Sequence, residues 1–463
     1  KYPVKDPFVE LCKGSLNTFL NAMTYPDKTV YPVASCNDTD FKNIMDVYMD
    51  AVFYPAMYEK PEIFMQEGWH YELDNADDDI KYNGVVFNEM KGAFSSPDDV
   101  LSRYTFVSLF PDTVYKNESG GDPVIIPTLK YEDFLKYHEE YYHPSNSYIY
   151  IYGDMDVNER LEYLDREYLS DFDVSDVDIH ANIERQAAFD KPVYETKPYA
   201  ITEDESLEDN TYLSYNAVIG TSVDAKLYLA FQILDYALVM TPGAPVKQAL
   251  LDAGISTDVY SSYETSLYQP VYSIVAKNSN SKEQGRFVSV INDTLEKLVK
   301  DGINERTIEA GINYYEFKYR EADYGPYPKG LMYYLTMMDS WLYDETKPFI
   351  HIEAGDTFEE LKKDARKGYF EKLIKEYLLD NNHKSIISLV PEYGLEKEKE
   401  QKEADKLAEY KSTLTNDELE ELVSKTKALK EYQDTPSIQE ELEKIPMLEL
   451  SDSKREPAKD FND

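Results

Sequence analysis

The sequence predicts an α+β fold of two related domains, each a mainly antiparallel sheet with helices packed on one face, followed by a helical hairpin. Three patterns predict it. Residues 1–175 mix helical and alternating strand patterns, residues 196–392 repeat that style, and residues 393–463 contain two charged helical runs. The stretch 176–195 is acidic and weakly periodic, which is typical of a linker. A chain of 463 residues exceeds one core, so several domains are expected.

A hairpin opens the first domain. Leu16–Thr24 and Thr29–Ser35 alternate apolar and polar residues around Tyr25-Pro26-Asp27-Lys28, whose Pro-Asp pair favours a turn. The later patterns of this domain predict two helices and then a strand, which are Phe41–Phe53, Tyr131–Tyr142 and Ser147–Tyr152.

The second domain shows the same alternation of strand and helix patterns. Its predicted elements are the strand Tyr212–Ile219, the helices Ala225–Met240 and Val246–Ala253, the strand pair Asp258–Thr265 and Pro270–Ala276, and the helix Lys282–Lys300. The charged tail predicts helices over Glu396–Tyr410 and Glu418–Tyr432. Thr415 and Glu418 have the spacing of a capping box at the start of the second of these helices.

The chain is strongly acidic, with a net charge of -41 from 48 basic and 89 acidic side chains. Binding to nucleic acid needs a basic surface, so nucleic acid is excluded as a partner. The negative field suits basic ligands, although an acidic surface can also serve solubility alone. No run of about 18 apolar residues is present, and a membrane span is not expected. Two cysteines and the lack of a signal core favour a cytoplasmic location.

The segment Gly84–Gly92 predicts a helix with a carboxylate on its apolar side. Val85, Val86 and Ala93 lie three or four positions from Glu89, so they share its side of the helix. A buried carboxylate needs a partner, which could be a metal cation, a basic side chain or backbone amides. The alternatives are an exposed glutamate or an ordinary salt bridge.

The histidines do not supply a metal site by their spacing. His138 and His143 are five residues apart, whereas a helical zinc pair needs three or four, and Pro144 ends the helix there. No phosphate-binding glycine loop and no nucleophile elbow is present.

The strand before the Pro-Asp turn has a composition that suits an edge strand. Asn21 is polar, and the small side chain of Ala22 would let another backbone approach closely. Edge strands can bind extended peptides by adding them to the sheet. An ordinary edge or interior strand is the alternative.

Taken together, the motifs resemble the presequence protease branch of the pitrilysin/insulinase zinc peptidases, which are inverzincins. In the first domain, six segments carry the resemblance, in family order: Lys1–Phe8, Gly14–Asp27, Tyr31–Ser35, Gly84–Gly92, Ser119–Pro123 and Tyr142–Asn146. The resemblance continues more weakly through Gly325–Leu331 and Lys444–Asp452, and so covers nearly the whole chain.

This resemblance implies a zinc site and a peptide-binding strand. In the family, two histidines of a His-x-x-Glu-His helix bind zinc, and the glutamate between them is the general base that activates water. Glu89 matches the third protein ligand, and Asn21 and Ala22 match the strand that pairs with substrate. Three ligands leave one open zinc position for water, as a hydrolase requires.

The resemblance also implies what this sequence lacks. The family's His-x-x-Glu-His motif precedes the segment that matches Lys1–Phe8, so the general base is expected upstream of Lys1 and no catalytic residue lies within the chain. The family's second half, which supplies an Arg and a Tyr to the site, is also missing. Residues 1–175 are thus expected to form the zinc-peptidase domain without its first motif, and residues 393–463 a hairpin that joins a C-terminal half.

The expected function is that of a fragment of a zinc metalloendopeptidase that degrades short unstructured peptides and is inactive alone. Its expected partners are peptide substrates, basic ones among them, and the C-terminal half of the same peptidase. The main alternative is a non-catalytic pitrilysin-like subunit for peptide binding or assembly. A peptide-binding, chaperone-like module is a third hypothesis.

Overall fold

A computed structural model of the protein describes residues 1–16, 19–175 and 183–452. The chain folds into two compact units, each built from separate stretches of sequence. The first unit comprises Lys1–Met90, Gly120–Asn182 and Lys406–Asp463, and the second comprises Lys91–Ser119 and Ile183–Asp405. The consecutive ranges assigned from the sequence as a peptidase domain, a second related domain and a joining hairpin remain a prediction.

Helices and strands alternate along the described residues, in agreement with the predicted α+β class. The helices are α1 (Pro7–Gly14), α2 (Asp38–Phe53), α3 (Val85–Ala93), α4 (Pro97–Leu109), α5 (Tyr131–Tyr141), α6 (Val157–Glu167), α7 (Ala225–Asp235), α8 (Pro245–Asp252), α9 (Gln284–Asp301), α10 (Glu305–Glu321), α11 (Lys329–Trp341), α12 (Gly355–Ala365), α13 (Tyr369–Leu373), α14 (Leu395–Thr413), α15 (Asn416–Asp434) and α16 (Gln439–Leu442). The strands are β1 (Phe19–Leu20), β2 (Met23–Thr24), β3 (Thr29–Val30), β4 (Val33–Ala34), β5 (His70–Glu72), β6 (Lys81–Asn83), β7 (Val193–Ile201), β8 (Thr211–Val218), β9 (Asp258–Glu264), β10 (Val271–Ser279) and β11 (Lys384–Tyr393).

The second unit is built on a five-stranded sheet of order β7-β11-β8-β10-β9. Strand β11 runs parallel to β7 and antiparallel to β8, and the remaining pairs are antiparallel. The edge strand β7 contains Pro198, which lacks the N–H that an interior strand would need. This mainly antiparallel sheet matches the sheet predicted for the second domain.

Apolar residues cover both faces of this sheet, because successive side chains of a strand point to opposite sides. On β11, Ile386 joins the main core with α7, α9 and α10, whereas Ile387 and Leu389 join a second cluster that includes Leu101 of α4. The prediction that helices pack on one face is therefore wrong for this sheet. Helix α4 comes from residues that the sequence analysis placed in the first domain, where their packing partner could not be seen.

The elements predicted for the second domain and the tail are confirmed to within a few residues. The helix predicted over Ala225–Met240 continues α7 as a π-helical segment, Tyr236–Met240, and the capping box of Thr415 and Glu418 is present at α15. Of the predicted linker 176–195, residues 176–182 lie outside the described residues, and strand β7 already begins at Val193.

One segment, Ala225–Asp252, is long and apolar enough to cross a membrane by length and composition. In the structure it is divided between α7, a π-helical segment and α8, and its apolar side chains fill the main core of the second unit. A buried core helix passes the same test, so this segment is weak evidence for a membrane span.

The described part of the first unit contains three short antiparallel ladders instead of one larger sheet. Strand β1 pairs with β4, β2 with β3, and β5 with β6. The predicted hairpin is thus confirmed, but the predicted strand Ser147–Tyr152 is wrong, because the structure assigns no strand there. Its alternating Tyr and Ile residues favour an extended backbone, yet a strand also needs a ladder, which the sequence pattern cannot specify.

The tail packs against the first unit as a pair of helices. Leu407 of α14 lies in an apolar cluster with Leu73 and Ile80, which flank the turn between β5 and β6. Tyr410 stacks on Tyr71 with ring centroids 4.5 Å apart, and the Leu73 amide donates to Thr426 Oγ1 at 3.0 Å. The β5–β6 ladder is therefore held from one side by the helical pair α14–α15.

His351 is fully buried in the second unit. Its Nε2 lies 2.8 Å from the Ser222 carbonyl, its ring stacks on Tyr228 with centroids 3.9 Å apart, and its buried Nδ1 has no hydrogen-bond partner among the described residues. Burial lowers the pKa of His351 from 6.5 to about 4, against the opposing effects of the Ser222 hydrogen bond and the Asp224 charge. The imidazole is therefore neutral in the folded protein at pH 7.

This buried imidazole is expected to make stability fall with acidification. Because the folded pKa lies below the unfolded one, the contribution is present above pH 6.5 and is lost as pH falls towards 4, by about 3 kcal/mol. Substitution of His351→Phe keeps an aromatic ring but should flatten the pH dependence of the unfolding free energy, measured by urea denaturation. Asn304→Ala removes the cap of α10 and should lower stability equally at each pH. An unchanged slope in the His351 variant would contradict the prediction.

Candidate functional site

Helix α3, which carries Glu89, begins at a tightly packed turn. Gly84 has φ 153°, and a Cβ on this residue would lie 2.3 Å from the Gly68 carbonyl oxygen. The Gly84 amide donates to Asn83 Oδ1 at 2.8 Å, and the Asn88 side-chain amide donates to the same oxygen at 2.9 Å. One asparagine oxygen thus ties the turn to the first turns of the helix.

The β5–β6 ladder positions this turn. His70 pairs with Asn83 and Glu72 with Lys81, and the Asn83 side-chain amide donates to Glu72 Oε2 at 2.7 Å. His70 is buried, with Nδ1 2.7 Å from the Met65 carbonyl oxygen. Sequence reasoning missed Asn83 and His70, and the only available signal was the Asn83-Gly84 pair, which is typical of a turn.

Glu89 itself is exposed on α3, and so the prediction of a carboxylate on a buried apolar side is wrong. The helix turns Phe87 inwards instead, where it is 2% exposed and packs edge-on against Tyr82 at 5.7 Å, while Val85 is 42% exposed. The single large aromatic residue determines which side is buried. The structure therefore realises the alternative that the sequence left open, an exposed glutamate.

Asn21 and Ala22 lie between β1 and β2 and are both exposed. The ladders on either side share one register, since Leu20 is opposite Val33 and Met23 is opposite Val30. Asn21 is therefore opposite Pro32, and its amide donates to the Pro32 carbonyl at 3.2 Å. Pro32 has no N–H to return the second bond, which explains why the hairpin is interrupted at this point.

These two candidate features occupy separate elements of the first unit. Glu89 is on α3, and Asn21 and Ala22 are on the first hairpin. Within residues 1–16, 19–175 and 183–452, no group of three or more His, Cys, Asp or Glu side chains could hold a metal ion. The described residues therefore do not fit a complete zinc site, and Glu89 offers one carboxylate only.

The histidines of α5 have structural partners. His138 Nε2 lies 2.8 Å from the Val52 carbonyl oxygen, and its Nδ1 lies 2.8 Å from the Tyr58 hydroxyl. Burial lowers the pKa of His138, against the opposing effect of the Val52 hydrogen bond. His143 Nδ1 accepts from the Ser145 amide at 3.1 Å. These contacts agree with the prediction that His138 and His143 do not form a metal pair.

Comparison with family models places the chain among the M16 peptidases. Residues 128–315 match the model described as "Peptidase M16 inactive domain", and residues 389–463 match a second model, described as associated with a subgroup of the same peptidases. Among curated proteins, the chain is 49% identical over 459 residues to "Protein HypA" of Clostridium perfringens, covering 99% of this chain and 47% of that protein. It is 40% identical over 464 residues to "Presequence protease 1, chloroplastic/mitochondrial" of Arabidopsis thaliana, covering 99% and 43%.

Solved structures show the same fold. A protease from Helicobacter pylori superimposes with a TM-score of 0.60 at 13% identity, over 81% of this chain and 82% of that one. The chain belongs to the M16, or pitrilysin, peptidase family, and within it resembles the presequence proteases. It spans about half the length of the curated relatives it matches.

The turn that starts α3 gives a direct prediction. Gly84→Ala would force a Cβ against backbone atoms of Gly68 and Trp69 in a conformation that side chains rarely adopt, and should lower the unfolding free energy by roughly 1–3 kcal/mol. Gly92 lies on the same helix with open space around it, so Gly92→Ala should be neutral or stabilise by up to about 1 kcal/mol. Urea denaturation of both variants tests this, and equal stabilities would contradict it.

Proposed function

We propose that residues 1–463 are part of a zinc metalloendopeptidase that degrades short unstructured peptides, and that this chain is inactive alone. The observation that carries the proposal is the 40% identity to a presequence protease along 99% of the chain. The chain's length, about half that of its relatives, supports a site completed by residues outside 1–463.

In this proposal, Glu89 is one protein ligand of the zinc centre. An exposed carboxylate on a firmly anchored helix can meet a metal held by other ligands, and Glu89 makes no ion pair among the described residues. The His-x-x-Glu-His motif, which would supply two further ligands and the general base, is expected upstream of Lys1. A bound zinc ion would supply Lewis acidity for hydrolysis.

The Asn21–Ala22 strand is proposed to bind the substrate backbone. Both residues are exposed, and β1 and β2 each belong to a two-stranded ladder, so one edge of each strand is available in the part of the chain that the structure describes. Strand addition uses backbone hydrogen bonds, which suit unstructured peptides of varied sequence.

The remaining assignments are also proposals. Residues 1–175 would form the zinc-peptidase domain, residues 196–392 the related second domain, and residues 393–463 a hairpin leading to a C-terminal half of similar build. Basic peptides are favoured as substrates because the net charge is -41. A cytoplasmic location remains a prediction.

A non-catalytic peptide-binding or assembly subunit is the second candidate. Two observations favour it, which are the "inactive domain" description of the matching model and the lack of a metal-ligand group in the described residues. The two proposals differ in their requirement for Glu89, because only a metallopeptidase needs that carboxylate.

The isolated chain is expected to lack peptidase activity and to retain no stoichiometric zinc after dialysis, because it offers one of the expected ligands. Metal analysis and a quenched-fluorescence peptide assay measure both properties. Tight zinc binding by residues 1–463, or cleavage abolished by a chelator, would contradict the proposed division of the site.

In a longer polypeptide that includes a His-x-x-Glu-His segment before Lys1, Glu89→Gln should lower both the zinc content and the rate of peptide cleavage, because the amide is a poorer zinc ligand. Glu132→Gln, at an exposed position of α5, is the matched control and should change neither. Full zinc occupancy and activity in the Glu89 variant would exclude the ligand role and favour the non-catalytic alternative.

A further inference from the structure

Two tyrosines stand beside the proposed peptide-binding strand. The register shared by β1–β4 and β2–β3 places Ala22 directly opposite Tyr31. Residues that face each other across an antiparallel pair present their side chains on the same face. The small methyl group of Ala22 therefore leaves the Tyr31 ring as the larger group on that face of the hairpin, and Tyr31 is 37% exposed.

The orientation of Tyr31 is fixed by a chain of contacts within the first unit. Its hydroxyl is hydrogen-bonded to the Tyr142 hydroxyl at 2.6 Å, with the two rings edge to face at 6.2 Å. Tyr142 stacks on His138 with centroids 4.6 Å apart, and both nitrogens of His138 are occupied by Val52 and Tyr58. A ring held in this way can offer a binding surface at little cost in side-chain entropy.

The chemistry of this surface suits a cation. Tyrosine ring faces attract ammonium and guanidinium groups. Glu139 and Glu140 are exposed on α5, close in sequence to Tyr142, and the net charge of the chain is -41. A peptide paired with the Ala22 backbone would place alternate side chains on the face of Tyr31.

We infer that Tyr31 and Tyr142 form a specificity-determining subsite that binds the side chain of an arginine or lysine in an extended peptide held on the Asn21–Ala22 strand. This inference rests on the proposed function, because it takes that strand as the peptide-binding edge. It adds a residue-level cause for a preference for basic peptides, distinct from the long-range field of the acidic chain.

The test compares two labelled, unstructured peptides that differ only in one arginine, replaced in the second by its neutral isostere citrulline. Fluorescence anisotropy with residues 1–463 gives the ratio of the two affinities. Tyr31→Leu should reduce the preference for arginine by roughly two- to fivefold and leave citrulline binding nearly unchanged. Tyr142→Phe keeps both rings and should retain most of the preference. Tyr327→Leu, at an exposed tyrosine of the second unit, should retain all of it.

A further variant separates this inference from the proposed function. Ala22→Pro removes an N–H from the strand and should weaken both peptides alike. If Ala22→Pro binds both peptides like the wild type, or the wild type binds neither, the strand is not the binding edge and both proposals fail. If Ala22→Pro weakens binding while Tyr31→Leu keeps the full preference for arginine, the subsite alone is excluded. Tighter binding of a phenylalanine peptide than of the arginine peptide would also overturn it. Circular dichroism of each variant checks that the fold is intact.

Discussion

The backbone contact at Gly84 is the constraint on which the candidate site depends. Only a residue without a side chain allows the turn after β6 to approach Gly68 and Trp69, and this approach fixes where α3 begins. Asn83 then binds both Gly84 and Asn88, so that the start of the helix is tied to the ladder beneath it. The position of Glu89 thus follows from a turn five residues earlier, which is in turn held by β5, β6 and the helical pair α14–α15.

The sequence was informative wherever local periodicity decided the outcome. The strands and helices of the second unit and the capping box of Thr415 and Glu418 follow from patterns that span a few residues. The burial of Glu89 did not follow, because Phe87 outweighs Val85 and Val86 when the helix packs. The covering of the sheet by α4 was also missed, since its partners lie about a hundred residues or more along the chain.

The candidate site shows the same division. The residue types at positions 21, 22 and 89 could be chosen from motifs alone, and their exposed positions in the structure suit contact with molecules outside the described residues. The residues that orient them, such as Asn83, Pro32 and Tyr142, act through hydrogen bonds across strands and helices. No spacing rule identifies such partners, because they depend on register and on side-chain direction.

The way each unit is assembled has a consequence for synthesis. The chain passes between the two units four times, at residues 90, 119, 182 and 405. As the protein leaves the ribosome, the second unit cannot close until residue 405 has emerged, and the first unit then still awaits the helical pair that covers β5 and β6. Neither unit can fold by itself as a finished domain during translation. The apolar faces of Leu73, Ile80 and Tyr71 remain uncovered until the final stretch arrives, which makes the nascent chain dependent on late-forming contacts between its two ends.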